Sequence, residues 1–574
     1  MKDVSNQEIA RLLAEIGEYL EMQDVPFKPR AYERAAQAIE GLGERVADIY
    51  RRGGIRAVMA IPGVGESIAE KIEEYLTTGR IKYHAQLRQK TPVELAELSR
   101  VEGLGPKSIK KLYQRLGIKS LADLEEAARR GKIRGLPGFG IKSEENILKS
   151  IEFLRKSGRR WLLGFAEPEI QQMEEELRHL PGVEKVIIAG SFRRRKETIG
   201  DVDILAVSKK PRVIMDYFVK MPRVVRVYAH GETKSAIKIA SGLDVDLRVV
   251  PAPSYGAALN YFTGSKEHNV ALRQIAIQKG YKLNEYGLFR GRRQIAGRTE
   301  EDLYAALGMD YIPPEMRENV GEIELAKKHA LPRLIDYSDL KGDLQVQTDW
   351  SDGSASIEEM AKAAEARGLK YIAITDHTRR LAMARGLDEK RILKQMGEID
   401  RLNRKFAGKI KILKGSECDI LKDGSLDLPD DILAKLDVVG ASVHSYFNLP
   451  QKEQTERIKR AMANPRVDII FHPTGRVIER RPAYEVNMAE LIQVAKKTGT
   501  LMEIDAYPDR LDLKDEYIRE CVAAEVKLVI DSDAHAPAHF DYLKYGIAQA
   551  RRGWAEKKDI ANAWPLPQML KMLK

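Results

Sequence analysis

Two acidic pairs near the middle of the chain have the spacing of a metal-dependent phosphoryl-transfer site. Asp201 and Asp203 lie in an apolar run typical of a strand, and residues two apart in a strand project from the same face. Two carboxylates that close repel each other unless a divalent cation lies between them, and Mg2+ prefers carboxylate and phosphate oxygens. Asp244 and Asp246 repeat the pattern in a second apolar run. A neighbouring strand that brings Asp246 to the first pair predicts a two-metal site for nucleotidyl transfer.

A glycine-serine turn shortly precedes the first acidic pair. Gly190 and Ser191 allow the backbone to approach a phosphate closely, and Arg193 and Arg194 supply cations for a triphosphate. The alternative interpretation is a set of edge-strand carboxylates that face solvent, which would be sufficient for a single Asp-x-Asp pair. The ordered combination of turn, arginines and two acidic strands favours the catalytic interpretation.

Three glycine motifs in the N-terminal third predict contacts with a nucleic-acid backbone. Each motif has one apolar residue between two glycines and connects two helical segments. The glycine pairs are Gly63 and Gly65, Gly103 and Gly105, and Gly138 and Gly140. Paired glycines allow a tight turn that exposes backbone N–H groups at the start of the next helix, where the helix dipole also favours an anion. Such helix-hairpin-helix motifs grip phosphates without reading bases, whereas one motif alone would be an ordinary helix connection.

A lysine follows the first glycine motif on a predicted helix. Lys71 has two possible roles, of which a solvated helix residue is the more common. If burial or neighbouring cations lower its pKa, its amine could attack an aldehydic sugar as a Schiff-base nucleophile. Ahead of it, the spacing of Ile9, Leu12, Leu13 and Ile16 predicts an amphipathic helix.

The length and charge of the chain limit the classes of protein that fit it. At 574 residues the chain is too long for one core, and about one domain per 150 residues predicts roughly three to five domains. The net charge of +11 favours a polyanionic partner. The two cysteines, Cys418 and Cys521, exclude a disulfide framework. The polar N-terminus and the absence of a long apolar run predict a cytoplasmic protein with no membrane partner.

The order of these motifs resembles that of the family X DNA polymerases, the group of DNA polymerase beta. A small helical domain, a fingers hairpin, a palm turn and two acidic strands follow one another in both, and a Tyr-Phe-Thr-Gly-Ser segment begins at Tyr261. The resemblance implies that Asp201 and Asp203 hold two Mg2+ ions, for which Mn2+ can substitute. It also implies that Asp246 binds the catalytic ion and helps to activate the primer 3'-hydroxyl.

The same resemblance implies the residues that contact the incoming nucleotide and the template. The implied nucleotide-binding residues are Gly190, Ser191, Arg194, Gly200, Tyr261, Phe262, Gly264 and Asn269. Ser191 and Arg194 would hold the triphosphate, Tyr261 and Phe262 would screen the sugar, and Arg273 would contact the template strand. The implied partners are dNTPs and a gapped or primer-template duplex.

Three positions depart from the family pattern. Arg195 stands where the family commonly has glycine, and we expect it to add a cation near the triphosphate. Asp244 stands where the vertebrate enzymes have arginine. Lys71 aligns with the lyase nucleophile of the family, but Ser67 replaces a nearby lysine that helps to bind a 5'-phosphate.

The C-terminal part of the chain carries a second candidate site. Alternating strand and helix patterns with polar residues at strand ends predict an α/β barrel. The strand-end candidates are His377, Glu417, His444, His472, Asp533 and His535. One buried histidine is usually structural, whereas four histidines with two carboxylates at strand ends indicate a set of metal ligands.

This part resembles the PHP (polymerase and histidinol phosphatase) domain, a distorted barrel found in many bacterial family X polymerases. The resemblance implies a trinuclear Mn2+ or Zn2+ phosphoesterase site, with Asp352 as a further ligand. The first motif of the family is His-x-His, but Gln345 and Gln347 stand there, and a neutral amide is a poorer ligand than imidazole. We therefore expect one or two metal positions and weak or absent 3'-5' exonuclease and abasic-endonuclease activity.

The predicted architecture is a multidomain protein. It has helical helix-hairpin-helix N-terminal domains, an α+β nucleotidyltransferase palm with a thumb, and a C-terminal α/β distorted (β/α)7 PHP barrel. The predicted boundaries are 1–80 for the first helical domain, 81–155 for the fingers, 156–250 for the palm, 251–316 for the thumb, 317–337 for a linker and 338–574 for the PHP domain.

The combined prediction is a monomeric, template-directed DNA polymerase that fills short gaps in DNA repair, including base excision repair. A template-independent nucleotidyltransferase is the alternative from the same chemistry, and Arg273 with the three hairpins favours a duplex substrate instead. Two further alternatives are a DNA-binding repair scaffold and an enzyme whose main activity is the exonuclease or abasic endonuclease of the PHP domain. Gln345 and Gln347 disfavour the last of these.

Overall fold

The N-terminal third of the protein is built from helices that share one apolar core. The computed structural model describes residues 4, 6–40, 42, 44–101, 103–156 and 160–574, so the polar N-terminus at residues 1–3 lies outside the described residues. The helices of this part are α1 (Asn6–Met22), α2 (Lys28–Glu40), α3 (Val46–Met59), α4 (Glu66–Thr78), α5 (Lys82–Lys90), α6 (Leu95–Leu98), α7 (Pro106–Leu116), α8 (Leu121–Arg129) and α9 (Ile141–Lys156). Ile9, Leu13 and Ile16 are fully buried, as their spacing predicts.

Each glycine motif leads directly into a helix. α4 and α7 begin immediately after Gly65 and Gly105, and α9 begins immediately after Gly140. The first glycine of each motif has a φ angle between +79° and +90°, a backbone region that side chains with a Cβ rarely adopt. The motifs therefore present the N-terminal N–H groups of three helices after a tight turn.

A five-stranded sheet forms the middle of the protein. The elements of this part, in chain order, are β1 (Trp161–Leu162), α10 (Leu163–Arg178), β2 (Val183–Ile188), α11 (Gly190–Arg193), β3 (Thr198–Ile199), β4 (Asp201–Ser208), α12 (Pro211–Phe218), β5 (Val224–His230), β6 (Lys234–Ile239) and β7 (Asp244–Val249). β1 and β3 pair with each other in a separate two-stranded sheet, and the other five strands form the larger one, the palm sheet. The strand order is β2-β4-β7-β6-β5, and β4 runs parallel to β7 while the other pairs are antiparallel. Val202, Ile204, Val245 and Leu247 fill the core behind one face, so the acidic residues between them point to the other face.

The next segment packs against the palm sheet through a buried ionic network. It contains α13 (Tyr255–Thr263), α14 (Lys266–Gln278), β8 (Lys282–Asn284), β9 (Gly287–Arg290), β10 (Arg293–Ala296), α15 (Glu300–Ala306) and α16 (Glu322–Lys327). Arg193 and Arg317 both bind the Glu300 carboxylate, at 2.6 and 2.5 Å. Although burial opposes it, the two guanidinium groups hold the pKa of Glu300 down at about 2.

The C-terminal domain is a parallel barrel with seven strands. Its elements are β11 (Gly342–Val346), α17 (Ile357–Ala366), β12 (Tyr371–Ile374), α18 (Glu389–Lys405), β13 (Lys411–Asp419), α19 (Asp430–Leu433), β14 (Val438–Ser442), α20 (Gln451–Ala463), β15 (Ile469–Ile470), α21 (Met488–Thr498), β16 (Leu501–Asp505), α22 (Asp515–Ala523), β17 (Leu528–Asp531), α23 (Leu543–Arg552) and α24 (Leu566–Met569). The strands pair in chain order. A bridge between Val346 and Ala534 joins the end of β11 to the segment after β17. The predicted (β/α)7 barrel is confirmed.

Within the parts of the chain that the structure describes, no helix is both long enough and apolar enough to cross a membrane.

Candidate functional site

The parallel pairing of β4 with β7 brings the palm carboxylates together. Asp203 lies opposite Asp246 in the register of the two strands, and Asp201 lies opposite Asp244. Burial and the charges of Asp201 and Asp246 raise the pKa of Asp203 to about 6, against the opposing effect of nearby cations. A divalent cation would relieve this repulsion, so the set of carboxylate oxygens fits Mg2+.

The glycine-serine turn packs directly on these carboxylates. The backbone N–H of Ala189 donates to the carbonyl oxygen of Asp203 at 2.7 Å, which fixes the start of the turn. Gly190 has a φ of +61°, and a Cβ there would lie 3.0 Å from the Oδ2 atom of Asp203. Both the backbone conformation and the close approach of the Asp203 carboxylate therefore favour glycine at this position.

An open cavity of about 450 Å³ lies in front of the turn and the carboxylates. Its lining residues are Arg160, Gly190, Ser191, Arg194, Gly200, Asp201, Asp203, Tyr261, Phe262, Gly264, Lys266, Asn269 and Arg273. The structure thus brings together every residue that the sequence assigned to the nucleotide, the template residue Arg273 and two of the three carboxylates.

The aromatic pair on the cavity wall is held by polar neighbours. The rings of Tyr261 and Phe262 meet edge to face at 5.1 Å, and the guanidinium of Arg248 lies 4.8 Å from the centre of the Phe262 ring. The side-chain amide of Asn269 donates to the carbonyl oxygen of Tyr261 at 2.7 Å. Asn269 therefore positions the backbone that carries the aromatic wall.

Only one of the three consecutive arginines lines the cavity. Arg194 lines it, although its Nε donates to Glu318 at 3.2 Å. Arg193 belongs to the buried network around Glu300. The expectation that Arg195 adds a cation near the triphosphate is wrong, because its guanidinium binds the buried carboxylate of Glu167.

Several basic residues of the site were missed by the sequence analysis. Arg160 lines the cavity and donates from Nε to Thr198 at 2.8 Å, and Lys266 lines it at the start of α14. Lys234 on β6 lies 3.3 Å from Asp246, and Lys238 lies 2.7 Å from Asp244. Lys234 and Lys238 are four residues apart in β6 and therefore lie on the same face of the strand, which is a signal that could have found them.

The lysine after the first glycine motif has a partly shielded amine. The Nζ atom of Lys71 donates to the carbonyl oxygen of Ser67 at 2.8 Å and lies 3.0 Å from its hydroxyl. The same atom lies 5.2 Å from the centre of the Tyr83 ring. Burial lowers the pKa of Lys71, which is the direction that nucleophilic attack requires.

The second candidate site lies at the carboxyl ends of the barrel strands. Two groups of side chains offer ligand atoms that all lie within 4.8 Å of one another; they are Asp352, His377 and His535, and His377, Glu417 and His444. The Nε2 atom of His472 donates to the Glu417 carboxylate at 2.8 Å. Although burial opposes it, His377 and His444 hold the pKa of Glu417 well below its ordinary value. Five of the seven predicted ligands thus form two groups that fit one or two metal ions.

The residues at the remaining position do not fit a third metal ion. Gln345 is fully buried, and neither its amide nitrogen nor its amide oxygen has a hydrogen-bond partner among the described residues. Gln347 donates its amide to Glu417 at 2.9 Å, which occupies an oxygen that a metal would need. The guanidinium of Arg510 lies 3.6 Å from Asp533 and 3.5 Å from Asp505, so a protein cation already faces these carboxylates. Arg510 and Asp505 were not found from the sequence.

Comparisons with known proteins agree with this arrangement of parts. Models of protein families match the chain as a helix-hairpin-helix domain at residues 4–81, a SAM-like helix-hairpin-helix tandem at 95–152, a DNA polymerase beta thumb at 258–318 and a PHP domain at 343–564. The "DNA polymerase/3'-5' exonuclease PolX" of Bacillus subtilis (strain 168) is 38% identical over 573 residues, which cover 99% of each chain.

Two further relatives match parts of the chain. The "DNA polymerase lambda" of Arabidopsis thaliana is 25% identical over 291 residues, which cover 44% of this chain and 51% of the relative. A "Probable phosphatase" of Acetivibrio thermocellus is 31% identical over 189 residues, which cover 32% of this chain and 73% of the relative.

Proposed function

The chain belongs to the PolX family, the family X DNA polymerases that carry a PHP domain, and we propose that its palm cleft fills short gaps in duplex DNA by template-directed addition of dNTPs. The observation that carries the proposal is the register of β4 and β7, in which Asp203 and Asp246 lie side by side beneath the cavity. Two-metal nucleotidyl transfer needs carboxylates close enough together to hold two ions, and this register of the strands supplies them.

In the proposed reaction, Asp201, Asp203 and Asp246 would hold two Mg2+ ions, for which Mn2+ could substitute. Asp201 and Asp203 would be ligands of both ions, and Asp246 would be a ligand of the catalytic one. When bound, these ions favour deprotonation of the primer 3'-hydroxyl and neutralise charge on the leaving pyrophosphate. Lys234, whose Nζ atom lies 3.3 Å from Asp246, would orient that carboxylate before a metal ion binds.

The remaining cavity residues bind and orient the nucleotide. Gly190 and Ser191 let the backbone approach the triphosphate, and Arg194 supplies the cation that binds it. Arg160 and Lys266 add positive charge to the same cavity. The Tyr261 and Phe262 rings, held by Asn269 and Arg248, form a wall against the sugar.

The substrate duplex would lie against the glycine motifs and the template residue. Three helix N-termini behind tight glycine turns offer N–H groups to backbone phosphates, which explains binding without sequence preference. Arg273 lies in the cavity with the nucleotide-binding residues, where a template base would pair with the incoming nucleotide. We propose that the protein acts as a monomer, because one chain contributes every residue of the site. We also propose that it acts on chromosomal DNA in the cytoplasm.

The PHP domain is proposed to hold one or two Mn2+ or Zn2+ ions and to have weak exonuclease activity. The support is the pair of ligand groups that share His377, together with the buried amides of Gln345 and Gln347 at the position of the missing ligands. A nuclease that needs three ions would lose most of its transition-state stabilisation with one position absent.

Primer extension on a duplex with a one-nucleotide gap and a 5'-phosphate tests the proposed function. Asp246→Asn is expected to lower the extension rate by at least about 100-fold, since it removes a ligand of the catalytic ion. Asp244→Asn is the matched control on the same strand and face, because its carboxylate pairs with Lys238 instead. Extension by the wild type with the templated nucleotide omitted would favour the template-independent alternative, and equal rates in both variants would contradict the proposal.

A further inference from the structure

The PHP domain contacts the palm next to the nucleotide cavity. We call residues 190–197, which follow β2 and include the glycine-serine turn, the palm turn. Arg476 binds Glu197 at the end of this turn at 2.8 Å, and Tyr545 donates to the carbonyl oxygen of Gly164 at 3.1 Å. Lys544 binds Glu167, the carboxylate that also holds Arg195, at 2.8 Å. The palm turn is therefore supported from outside the palm by side chains of the barrel domain.

One of these supporting side chains reaches the backbone of a nucleotide-binding residue. Arg552, at the end of α23, is 3% exposed. Its Nη1 donates to the carbonyl oxygen of Arg194 at 2.8 Å and to the carboxylate of Glu318 at 3.1 Å, while its Nη2 binds Asp515 at 2.5 Å. A single guanidinium thus joins the palm turn, the end of the thumb segment at Glu318 and helix α22.

Glu318 is shared between this guanidinium and the cation of the nucleotide cavity. Its carboxylate accepts from the Nε of Arg194 at 3.2 Å, and Lys196 lies 3.8 Å away. Binding of a triphosphate by Arg194 would compete with the contact between its Nε atom and Glu318. A partly buried carboxylate that loses one of its cations is stable only if others remain beside it, and at Glu318 these are Arg552 and Lys196.

We propose that Arg552 of the PHP domain is a positioning residue for nucleotide binding in the palm. It holds the backbone of the palm turn at Arg194, and it keeps Glu318 compensated when Arg194 turns to the triphosphate. This inference rests on the proposed role of Arg194 in nucleotide binding. It assigns the PHP domain a part in polymerisation that is independent of any metal in the barrel.

Steady-state kinetics on the gapped duplex distinguish a positioning role of Arg552 in nucleotide binding from a general loss of active, folded protein. Arg552→Gln is expected to raise the KM for dTTP by about 10-fold while kcat changes by less than about threefold, since a charge-assisted contact is lost before the chemical step. Arg551→Gln is the matched control, because Arg551 precedes it on α23 and binds Glu315 and the carbonyl oxygen of Ile335, both at 2.8 Å. Its KM is expected to match that of the wild type.

Replacement of Glu318 in the Arg552→Gln variant tests for a rescue of nucleotide binding. A merely structural role of Arg552 would not give such a rescue. Arg552→Gln combined with Glu318→Gln is expected to bring the KM for dTTP most of the way back to the wild-type value. The reason is that the Glu318 carboxylate no longer competes with the triphosphate for the guanidinium of Arg194. Glu318→Gln alone keeps the pair of Arg552 and Asp515, so it tests the proposal even if Arg552→Gln fails to fold. It is expected to lower the KM for dTTP, and an increase would contradict the inference.

Binding without turnover gives an independent measurement. Each variant is bound to a gapped duplex with a dideoxy-terminated primer, and the melting temperature of the protein is measured with and without dTTP and Mg2+. The increase caused by dTTP and Mg2+ is expected to be smaller for Arg552→Gln than for Arg551→Gln. Equal shifts and equal KM values in these two variants would overturn the inference and leave the polymerase assignment intact. A wild-type protein that neither extends the primer nor responds to dTTP would overturn the proposed function, and the inference with it.

Discussion

Asp203 and Asp246 lie directly opposite each other on two parallel strands, and Gly190 packs so closely against the Asp203 carboxylate that a Cβ would lie 3.0 Å from its Oδ2 atom. The pairing concentrates negative charge at one edge of the cavity, and the glycine holds the phosphate-binding turn against that charge. The acidic strands and the turn therefore form one unit, in which a change to either part alters the other.

The repulsion of Asp203 by Asp201 and Asp246 predicts that Asp203→Asn stabilises the protein in the absence of metal, by an amount that depends on pH. The pKa of Asp203 is raised to about 6 by burial and by Asp201 and Asp246, so the folded protein binds this proton more tightly than the unfolded chain does. The free energy of unfolding therefore falls as pH rises towards and through about 6. We expect Asp203→Asn to stabilise the palm by about 1–2 kcal/mol at pH 8 in EDTA and by much less near pH 4.

Urea titrations at the two pH values, followed by circular dichroism, measure this difference. Mg2+ is expected to stabilise the wild type at pH 8 more than it stabilises the variant, since the variant has one carboxylate fewer to neutralise. A variant that is less stable than the wild type at pH 8 in EDTA would contradict the assignment of repulsion to this cluster.

The contact between Gly190 and Asp203 predicts a specific defect in Gly190→Ala. The new Cβ would lie 3.0 Å from the Asp203 carboxylate, in a backbone conformation with a φ of +61°. We expect a loss of about 1–2 kcal/mol in stability from strain and a fall of at least about 10-fold in primer extension. Gly280→Ala, at a φ of +73° with nothing within 4 Å, isolates the strain from the site. Comparable losses of extension in both variants would show that the turn has no special role.

Restoration of the missing imidazoles predicts a gain of function in the barrel. Gln345→His together with Gln347→His replaces the unpartnered amide of Gln345 and the amide of Gln347 that donates to Glu417, and it provides two imidazole ligands. We expect higher Mn2+ content after dialysis and a rise of about 10-fold or more in 3'-5' degradation of a primer. The same two substitutions in a Glu417→Gln background are the control and should give no gain. An unchanged Mn2+ content in the restored protein would count against the interpretation of this position.

Arg510 predicts a limit to that gain. Its guanidinium faces Asp505 and Asp533, the carboxylates that an additional cation would approach, and two cations at this separation repel each other. Addition of Arg510→Met to the restored protein is expected to raise Mn2+ content further, as measured by atomic absorption. No further increase, in a variant that melts normally, would show that Arg510 does not compete with metal.

The amine of Lys71 predicts a covalent product with an incised abasic duplex. Because burial lowers its pKa, a larger fraction of the amine is uncharged at neutral pH than for an exposed lysine. Borohydride is expected to trap the wild-type protein on the duplex and to trap Lys71→Ala much less. Lys90→Ala, at an exposed position on α5, is the control. Equal trapping of the wild type and Lys71→Ala would refute the lyase hypothesis.

Local patterns were sufficient to predict the parts of the palm site. The alternation around Asp201, Asp203 and Asp246 set which face each carboxylate takes, since side-chain direction in a strand has a period of two residues. The spacing of Gly63 and Gly65 likewise predicted a turn that leads into a helix. This prediction is also local, because φ preferences and helix starts depend on neighbouring residues. The eight nucleotide-binding residues, which the family resemblance implied, all line one cavity.

The sequence by itself determined the type of each element and the chemistry that its side chains can offer, but not the partners of the charged groups. The tertiary structure alone decided that Arg194 meets Glu318 and Arg552, that Arg195 turns to Glu167, and that Arg510 faces Asp533. Arg194 and Arg552 are 358 residues apart, so no local pattern links them. Such contacts depend on how the domains pack. An arginine side chain is long and flexible enough to reach several carboxylates, and the packing of the domains determines which of them it contacts.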